Sequence, residues 1–167
     1  MYKRPEPCPQ AIEDNPHLAP WTMYPKSSDA ALAAKNLRRD LRKQFPKLKF
    51  SIKSENYSGG SSVRASIELY EVDGWDPAKA NKINNLAKKT ACRYQYGSFD
   101  GMTDSYDYNS DADSRNFTNT FGGAKYVFID VGLKYAPTDP KEIKKRLDRI
   151  SKENERKERA EQRKVKM

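Results

Sequence analysis

Residues 48–69 read LKFSIKSENYSGGSSVRASIEL, and their pattern is the clearest indication of the fold. In both halves of it, apolar residues alternate with polar ones, and glycines separate the two halves. Alternation with a period of two is typical of strands with one buried face, and a short glycine-containing connection is typical of antiparallel hairpins. We therefore predict a hairpin whose outer face carries Lys49, Lys53 and Arg64.

The connection between the two strands has two interpretations. Gly59 and Gly60, with the serines around them, would let backbone N–H groups and hydroxyls approach a phosphate. The same glycines would supply the positive φ that tight hairpin turns need. Because the sequence lacks the GxxxxGK[ST] pattern of phosphate-binding loops, we favour a hairpin turn between Tyr57 and Arg64.

A helix is expected before the hairpin, from Ala30 to Phe45. Residues 27–29 (Ser-Ser-Asp) offer the N-cap, and Pro46 ends the helix. At about 100° per residue, one face of this helix is apolar and the opposite face is basic. The apolar face comprises Ala30, Ala34, Leu37, Leu41 and Phe45.

A further helix is expected after the hairpin, beginning at Asp76 and Pro77. Its predicted buried stripe consists of Ala80, Ile83, Ala87 and Ala91. Residues 94–108 are rich in tyrosine and have room for a short strand, and we expect the polar residues 109–123 to form a loop. We expect a strand at 125–133 that is covered on both faces, because apolar residues occupy both of its faces.

The two ends of the chain differ from the middle in composition. Six prolines within residues 1–26 predict an extended arm, which Trp21, Met23 and Tyr24 would dock on the domain. Near the other end, Asp139-Pro140 opens a last helix. Its short apolar face consists of Ile143, Leu147 and Ile150, and the charged residues beyond it form a projecting helix or are disordered.

The predicted fold class is therefore α+β. We expect a small antiparallel sheet of three to four strands packed by two helices, with an extended N-terminal arm and a charged C-terminal helix. The expected domains are a proline-rich arm at 1–26, an α+β domain at 27–135, and a charged helix or tail at 136–167.

The charge of the chain is polarised. The net charge is +9, and 33% of the 167 residues are charged. Residues 27–53 carry eight basic and two acidic residues, and 140–167 carry twelve basic and six acidic residues, so each segment is +6; residues 94–124 carry one basic and five acidic residues, giving −4. This distribution indicates either an anionic partner for the basic segments or simply well-solvated charged helices.

Several other classes of protein are disfavoured by the sequence. Cys8 and Cys92 are far apart, do not form a zinc site with His17, and are expected to be free thiols in a reducing compartment. We expect no signal peptide and no membrane span, since no apolar run approaches about 20 residues. Residues 107–118 start like a calcium loop but lack its glycine and closing Glu, so we expect no metal.

The sequence also resembles a known family. The pattern runs from Phe45 through the YSGGSSV motif at 57–63, then through YQYG at 94–97 and FDGM at 99–102, to AKYVF at 124–128. In this order these motifs resemble the large polyvalent protein associated domains, the twenty-ninth of that series, over roughly residues 28–131. The resemblance implies a phage or conjugative-element setting and a small α+β fold, and it implies no reaction.

Two functional hypotheses follow, and neither requires catalysis or a cofactor. The first is binding of nucleic acid, or of a nucleoprotein assembly, by a phage or mobile-element accessory protein in the cytoplasm of a bacterial host cell. In the alternative interpretation, the basic residues of the first helix and of the hairpin form only a solvated helix face and a sheet edge protected by lysine. The predicted nucleic-acid-binding residues are Lys35, Arg38, Arg39, Arg42, Lys43, Lys49, Lys53 and Arg64.

The second hypothesis is a protein interaction that inhibits or recruits a host protein, such as a component of a defence system. It rests on the acidic, aromatic middle of the chain and on the proline-rich arm. Its alternative is a structural loop fixed by buried tyrosines. The predicted partner-binding residues are Tyr57, Tyr94, Tyr96, Phe99, Asp100 and Asp104.

Overall fold

The computed structural model describes residues 3–70, 77–134 and 140–165, and it confirms the α+β class. Five helices and five strands occupy this part of the chain, with a short 3-10 turn at Trp21–Met23. In chain order they are α1 (Pro9–Asp14), α2 (Asp29–Gln44), β1 (Lys49–Tyr57), β2 (Gly60–Tyr70), α3 (Pro77–Cys92), β3 (Gly97–Asp100), β4 (Ser105–Tyr108), α4 (Ala112–Phe121), β5 (Tyr126–Lys134) and α5 (Pro140–Val165).

The predicted hairpin forms the first two strands of a three-stranded sheet with the order β1-β2-β5. β1 and β2 are antiparallel, and the two-residue connection at Ser58 and Gly59 joins the paired residues Tyr57 and Gly60. Gly59 has a φ of +89°, so the glycine serves the turn, as favoured from the sequence. The third strand differs from expectation, because β5 runs parallel to β2 and the sheet is therefore mixed. The long segment between β2 and β5 crosses over the sheet and enters β5 in the same direction as β2.

The hydrophobic core lies between one face of the sheet and two helices. α2 packs on β1 and β2, whereas α3 packs on β5. The stripe predicted on α3 is buried, and so are Leu37 and Leu41 of α2. The expectation that β5 is covered on both faces is wrong: Ile129 faces the helices and is buried, whereas Phe128 on the outer face is 43% exposed.

Residues 112–121 are helical, so the loop expected at 109–123 is wrong for most of its length. Asp111 caps this helix, since its carboxylate accepts a hydrogen bond of 2.8 Å from the backbone N–H of Ser114. Phe117 and Phe121, four residues apart, are both buried and anchor the helix to the core. Because the residues between these two phenylalanines are polar, this short apolar stripe was not recognised in the sequence.

The N-terminal arm is more ordered than an extended segment. Residues 9–14 form α1, because proline is tolerated at the first position of a helix. Leu18 and Ala19 are buried, Trp21 and Tyr24 are half-buried, and Met23 is 62% exposed. Leu18 and Ala19, the most buried residues of the arm, therefore lie just before Trp21, Met23 and Tyr24, which we expected to dock it.

α5 continues as a helix to Val165, and its Leu147 is 61% exposed rather than docked. The side chains of Ile143 and Ile150, and the capping residues Asp76 and Asp139, lie outside the described part of the molecule. Among the helices that are described, none has the length and hydropathy needed to cross a bilayer.

Candidate nucleic-acid interface

Helix α2 runs antiparallel to β1 along the edge of the sheet. At its start, Ser28 Oγ accepts a hydrogen bond of 3.1 Å from the side-chain amide of Asn56. Further along, the guanidinium of Arg38 donates to the backbone carbonyl oxygen of Ile52 at 3.2 Å. Since β1 is an outer strand of the sheet, Arg38 is held at this edge beside Lys53.

The remaining basic residues of α2 fall into two groups. Lys35 Nζ lies 4.1 Å from the centroid of the Tyr24 ring, and Arg39 donates to the Tyr24 hydroxyl at 3.2 Å, so both contact the arm. Arg42 and Lys43 are exposed in the last turn of the helix. The predicted basic face is thus partly committed to docking the arm and partly open to solvent.

The outer face of the sheet carries the three cations predicted for it. Lys49 pairs with Glu68 at 3.7 Å and is partly neutralised. Lys53 lies directly opposite Arg64, and Arg64 lies opposite Phe128 on β5. Like charges directly opposite each other on a sheet are destabilising, and a bound anion would relieve their repulsion.

Arg64 also makes a cation–π contact on this face, with its guanidinium carbon 5.2 Å from the centroid of the Phe128 ring. We define the basic edge as the set of basic residues that α2, β1 and β2 place around this edge of the sheet. It consists of Arg38, Arg42, Lys43, Lys49, Lys53 and Arg64.

A second basic surface lies on α5. Lys145, Arg149, Lys152 and Arg156 follow one another at spacings of four, three and four residues, so they share one side of the helix. All four are exposed. This stripe accounts for part of the positive charge that the sequence assigned to the C-terminal segment.

The β3–β4 hairpin separates its aromatic residues from its acidic ones. Phe99 is paired with Tyr106, and Gly97 with Tyr108, so these aromatics share one face of the hairpin. The other face carries Asp107, opposite Ser98, and Asp100, opposite Ser105. The pleat therefore splits the acidic, aromatic surface expected from the sequence into two surfaces of different chemistry.

The aromatic side of this hairpin continues onto the outer face of the main sheet. We call Tyr108, Tyr106, Tyr126 and Phe128 the aromatic row. Successive ring centroids along it are 4.8, 5.6 and 6.2 Å apart. The row was missed in the sequence because it joins β4 to β5 through tertiary packing, although the alternation of Tyr106 with Tyr108 and of Tyr126 with Phe128 hints at it.

Two contacts fix the row in place. Tyr106 Oη donates to the backbone carbonyl oxygen of Lys125 at 2.5 Å, and burial raises the pKa of Tyr106 to about 12. Lys125 Nζ lies 5.2 Å from the Tyr106 ring centroid and 5.8 Å from that of Tyr126. A cation therefore lies against two adjacent rings of this surface.

Some predicted partner-binding residues lie at the surface. Tyr57 is 44% exposed and Phe99 is 52% exposed. Asp104 lies in the β3–β4 turn with a φ of +50°, and Asp100 braces that turn by accepting from the backbone N–H of Met102 at 2.9 Å. This hydrogen bond holds the pKa of the Asp100 carboxyl below its usual value.

Two other predicted partner-binding residues point inward. Tyr96 is half-buried, and its hydroxyl donates to a carboxylate oxygen of Asp29 at 3.2 Å. Tyr94 is fully buried, so its assignment to a partner-binding surface is wrong. An aromatic residue next to the end of α3 continues the helix's buried stripe and becomes part of the core.

Tyr94 belongs to a polar cluster that the sequence did not reveal. Its hydroxyl donates to Asp40 Oδ2 at 2.5 Å, and Oδ1 of the same carboxylate lies 2.5 Å from His17 Nε2. Burial, followed by the nearby Asp40 charge, raises the pKa of Tyr94 far above its usual value. The cluster joins the arm, α2 and the core, and Arg93 at 3.9 Å from Asp40 connects it to a surface cavity of about 380 Å³.

Comparison with known protein families identifies a match over most of the chain. Residues 28–136 match the family model described as large polyvalent protein associated domain 29. No curated protein matches the chain, and no solved structure does. The match covers well over half of the 167 residues, including α2, both hairpins and β5, which carry the basic edge and the aromatic row. The chain therefore belongs to the family of the large polyvalent protein associated domain 29.

Proposed function

We propose that this protein is a phage or mobile-element accessory protein that binds nucleic acid, or a nucleoprotein assembly, through its basic edge. The proposed role is non-enzymatic, needs no cofactor, and belongs in the cytoplasm of a bacterial host cell. The mobile-element setting comes from the family resemblance. The binding role comes from the geometry.

The observation that carries the proposal is the hydrogen bond from Arg38 to the Ile52 carbonyl oxygen. It brings the cations of α2 to the strand that displays Lys53, so that helix and sheet offer one positive surface. Lysine and arginine side chains at such a surface neutralise phosphates and release counterions, which gives affinity without sequence specificity.

Salt dependence tests the proposal. Anisotropy of a fluorescent oligonucleotide duplex should report binding that weakens steeply from 50 to 200 mM salt. Each phosphate contact contributes a slope of about −0.9 in a plot of log K against log salt. Salt-insensitive binding, or no binding of either a duplex or a single strand at 50 mM salt, would overturn the proposal.

A pair of charge-matched variants locates the surface. Lys43→Ala/Lys53→Ala removes two exposed cations of the basic edge, and Lys79→Ala/Lys82→Ala removes two exposed lysines of α3, which packs at the opposite edge of the sheet. We expect the first variant to lower the salt slope by about 2 and the second to leave it nearly unchanged. Equal losses in both variants would contradict the assignment to this edge.

A second function is favoured by the tip of the β3–β4 hairpin. Met102 is 97% exposed and Phe99 is 52% exposed on this tip, which is a setting suited to a protein contact. The alternative is therefore a non-enzymatic module that inhibits or recruits a host protein, such as a defence component. Tagged capture from bacterial lysate after nuclease treatment should then retain one stoichiometric protein, and Phe99→Ala/Met102→Ala should release it.

A further inference from the structure

Aromatic side chains are exposed on the outer face of the sheet and on the adjoining β3–β4 hairpin. Phe128 is 43% exposed, Tyr57 is 44% exposed and Tyr108 is 66% exposed. Lys125 and Tyr57 both lie close to Gly60: a Cβ atom on Gly60 would lie 3.0 Å from the Lys125 side chain and 3.2 Å from the Tyr57 ring. Lys125 also lies over two rings of the aromatic row. Clusters of exposed apolar groups are typical of binding surfaces.

Cations are interleaved with these rings. One rung of the sheet runs Lys53, Arg64, Phe128 across its three strands. The two neighbouring rungs carry Glu55 and Asp130, so the positive charge is concentrated on a single rung rather than spread over the face. A ligand that fits this rung presents negative charges beside flat apolar groups.

The chemistry of that ligand distinguishes single-stranded from duplex nucleic acid. Both present phosphates, but a duplex keeps the faces of its bases inside the stack. In a single strand the bases are free to stack on aromatic side chains while basic residues follow the backbone. Tyr126 and Phe128, at alternate positions on β5, hold their rings within 16° of parallel and offer two successive platforms.

We infer that the outer face of the sheet binds single-stranded nucleic acid, with bases stacked on the aromatic row and phosphates on Lys53, Arg64 and Lys125. This inference deepens the proposed function and rests on it. In this inference the basic edge makes the phosphate contacts that all nucleic acids share, and the aromatic row provides the preference for single strands.

The test uses the full chain with two fluorescent probes of equal length, an oligothymidine and a self-complementary duplex. Phe128→Ala removes one platform from an exposed position, and Leu86→Ala removes an apolar side chain that is 38% exposed on α3. We expect Phe128→Ala to weaken oligothymidine binding about tenfold and duplex binding less than twofold. Leu86→Ala should change neither.

A conservative variant separates stacking from folding. Phe128→Trp keeps a flat ring at this position, so it should retain single-strand affinity, and the new tryptophan should lose fluorescence as oligothymidine binds. Loss of single-strand affinity in Phe128→Trp, or unchanged affinity in Phe128→Ala, overturns this inference.

The remaining outcomes separate the two levels of the argument. If both probes bind in a salt-sensitive way and Phe128→Ala weakens neither, the result would support the proposed function and contradict the single-strand assignment. If neither probe binds, both the proposed function and the single-strand assignment are contradicted. A nuclease-resistant protein partner that is lost in Phe128→Ala would make this face a protein interface and overturn the inference.

Discussion

The hydroxyl of Tyr94 lies 2.5 Å from Oδ2 of Asp40, and both residues are buried. A buried carboxyl group needs polar partners, and Asp40 has them in the Tyr94 hydroxyl, the His17 ring and, at 3.9 Å, the Arg93 guanidinium. The carboxyl group of Asp40 therefore contributes both to the docking of the N-terminal arm and to the packing of α2 against the core.

Replacing Tyr94 with Phe tests this arrangement. The ring remains and the hydrogen bond disappears, which leaves a buried carboxylate with one partner fewer. We expect the free energy of unfolding to fall by about 1–3 kcal/mol, measured by urea denaturation. Tyr108→Phe changes an exposed hydroxyl and should stay within about 0.5 kcal/mol of the parent. A Tyr94→Phe protein as stable as the parent would show that the hydroxyl contributes nothing.

Asn36 provides a second test of arm docking. Its side chain is fully buried, accepts from the backbone N–H of Ala19 at 2.9 Å, and donates to the carbonyl oxygens of Ala19 and Phe121 at the same distance. Asn36→Ala leaves those backbone groups without their partner, so the unfolding free energy should drop by about 2–3 kcal/mol.

The same variant should loosen the arm. Limited proteolysis is expected to cleave within residues 1–26 faster in Asn36→Ala than in the parent. Asn85→Ala, on an exposed position of α3, is the matched control and should digest like the parent. Equal cleavage of all three proteins would contradict the role of Asn36 in holding the arm.

The sequence predicted the elements whose signals are local. The β1–β2 hairpin follows from strict alternation around glycines, and α2 and α3 follow from apolar residues at helical spacing with clear caps or prolines. The direction of β5 was missed because it depends on the path of the chain between residues 70 and 126, and not on the strand's own residues.

The candidate site was predicted in part for the same reason. Lys53 and Arg64 were placed correctly on one face because alternation fixes the face of a strand. The aromatic row and the buried Tyr94 were not predicted, since burial and proximity between β4 and β5 arise from packing between distant segments. The positions most informative for function are those that only the fold brings together.

Gly97 allows a prediction about the β3–β4 hairpin. A Cβ atom at this position would lie 1.9 Å from the backbone carbonyl oxygen of Asp107, because the paired strand approaches closely. Gly97→Ala should therefore destabilise the protein by about 1–3 kcal/mol in urea denaturation. Gly101→Ala has open space around the new atom and should be within about 0.5 kcal/mol of the parent. Similar stabilities for the two variants would mean that the strands can separate without cost.

Alkaline pH should weaken the joint between this hairpin and the sheet. Burial raises the pKa of Tyr106 to about 12, whereas an unfolded tyrosine has a pKa of about 10. As pH rises from 10 to 12, the unfolded chain releases this proton before the folded protein does, so the unfolding free energy falls across this window. Because the ring is partly exposed, we expect a loss of roughly 1 kcal/mol.

Tyr106→Phe isolates this contribution from the other groups that titrate in the same range. The unfolding free energies of parent and variant, measured between pH 9 and pH 11.5, should converge as pH rises, because the variant cannot ionise at this position. Absorbance at 295 nm should at the same time show one phenolate fewer near pH 12 in the variant. A constant difference in unfolding free energy across the range would mean that Tyr106 titrates alike in the folded and unfolded states, and that the hairpin does not bury it against Lys125.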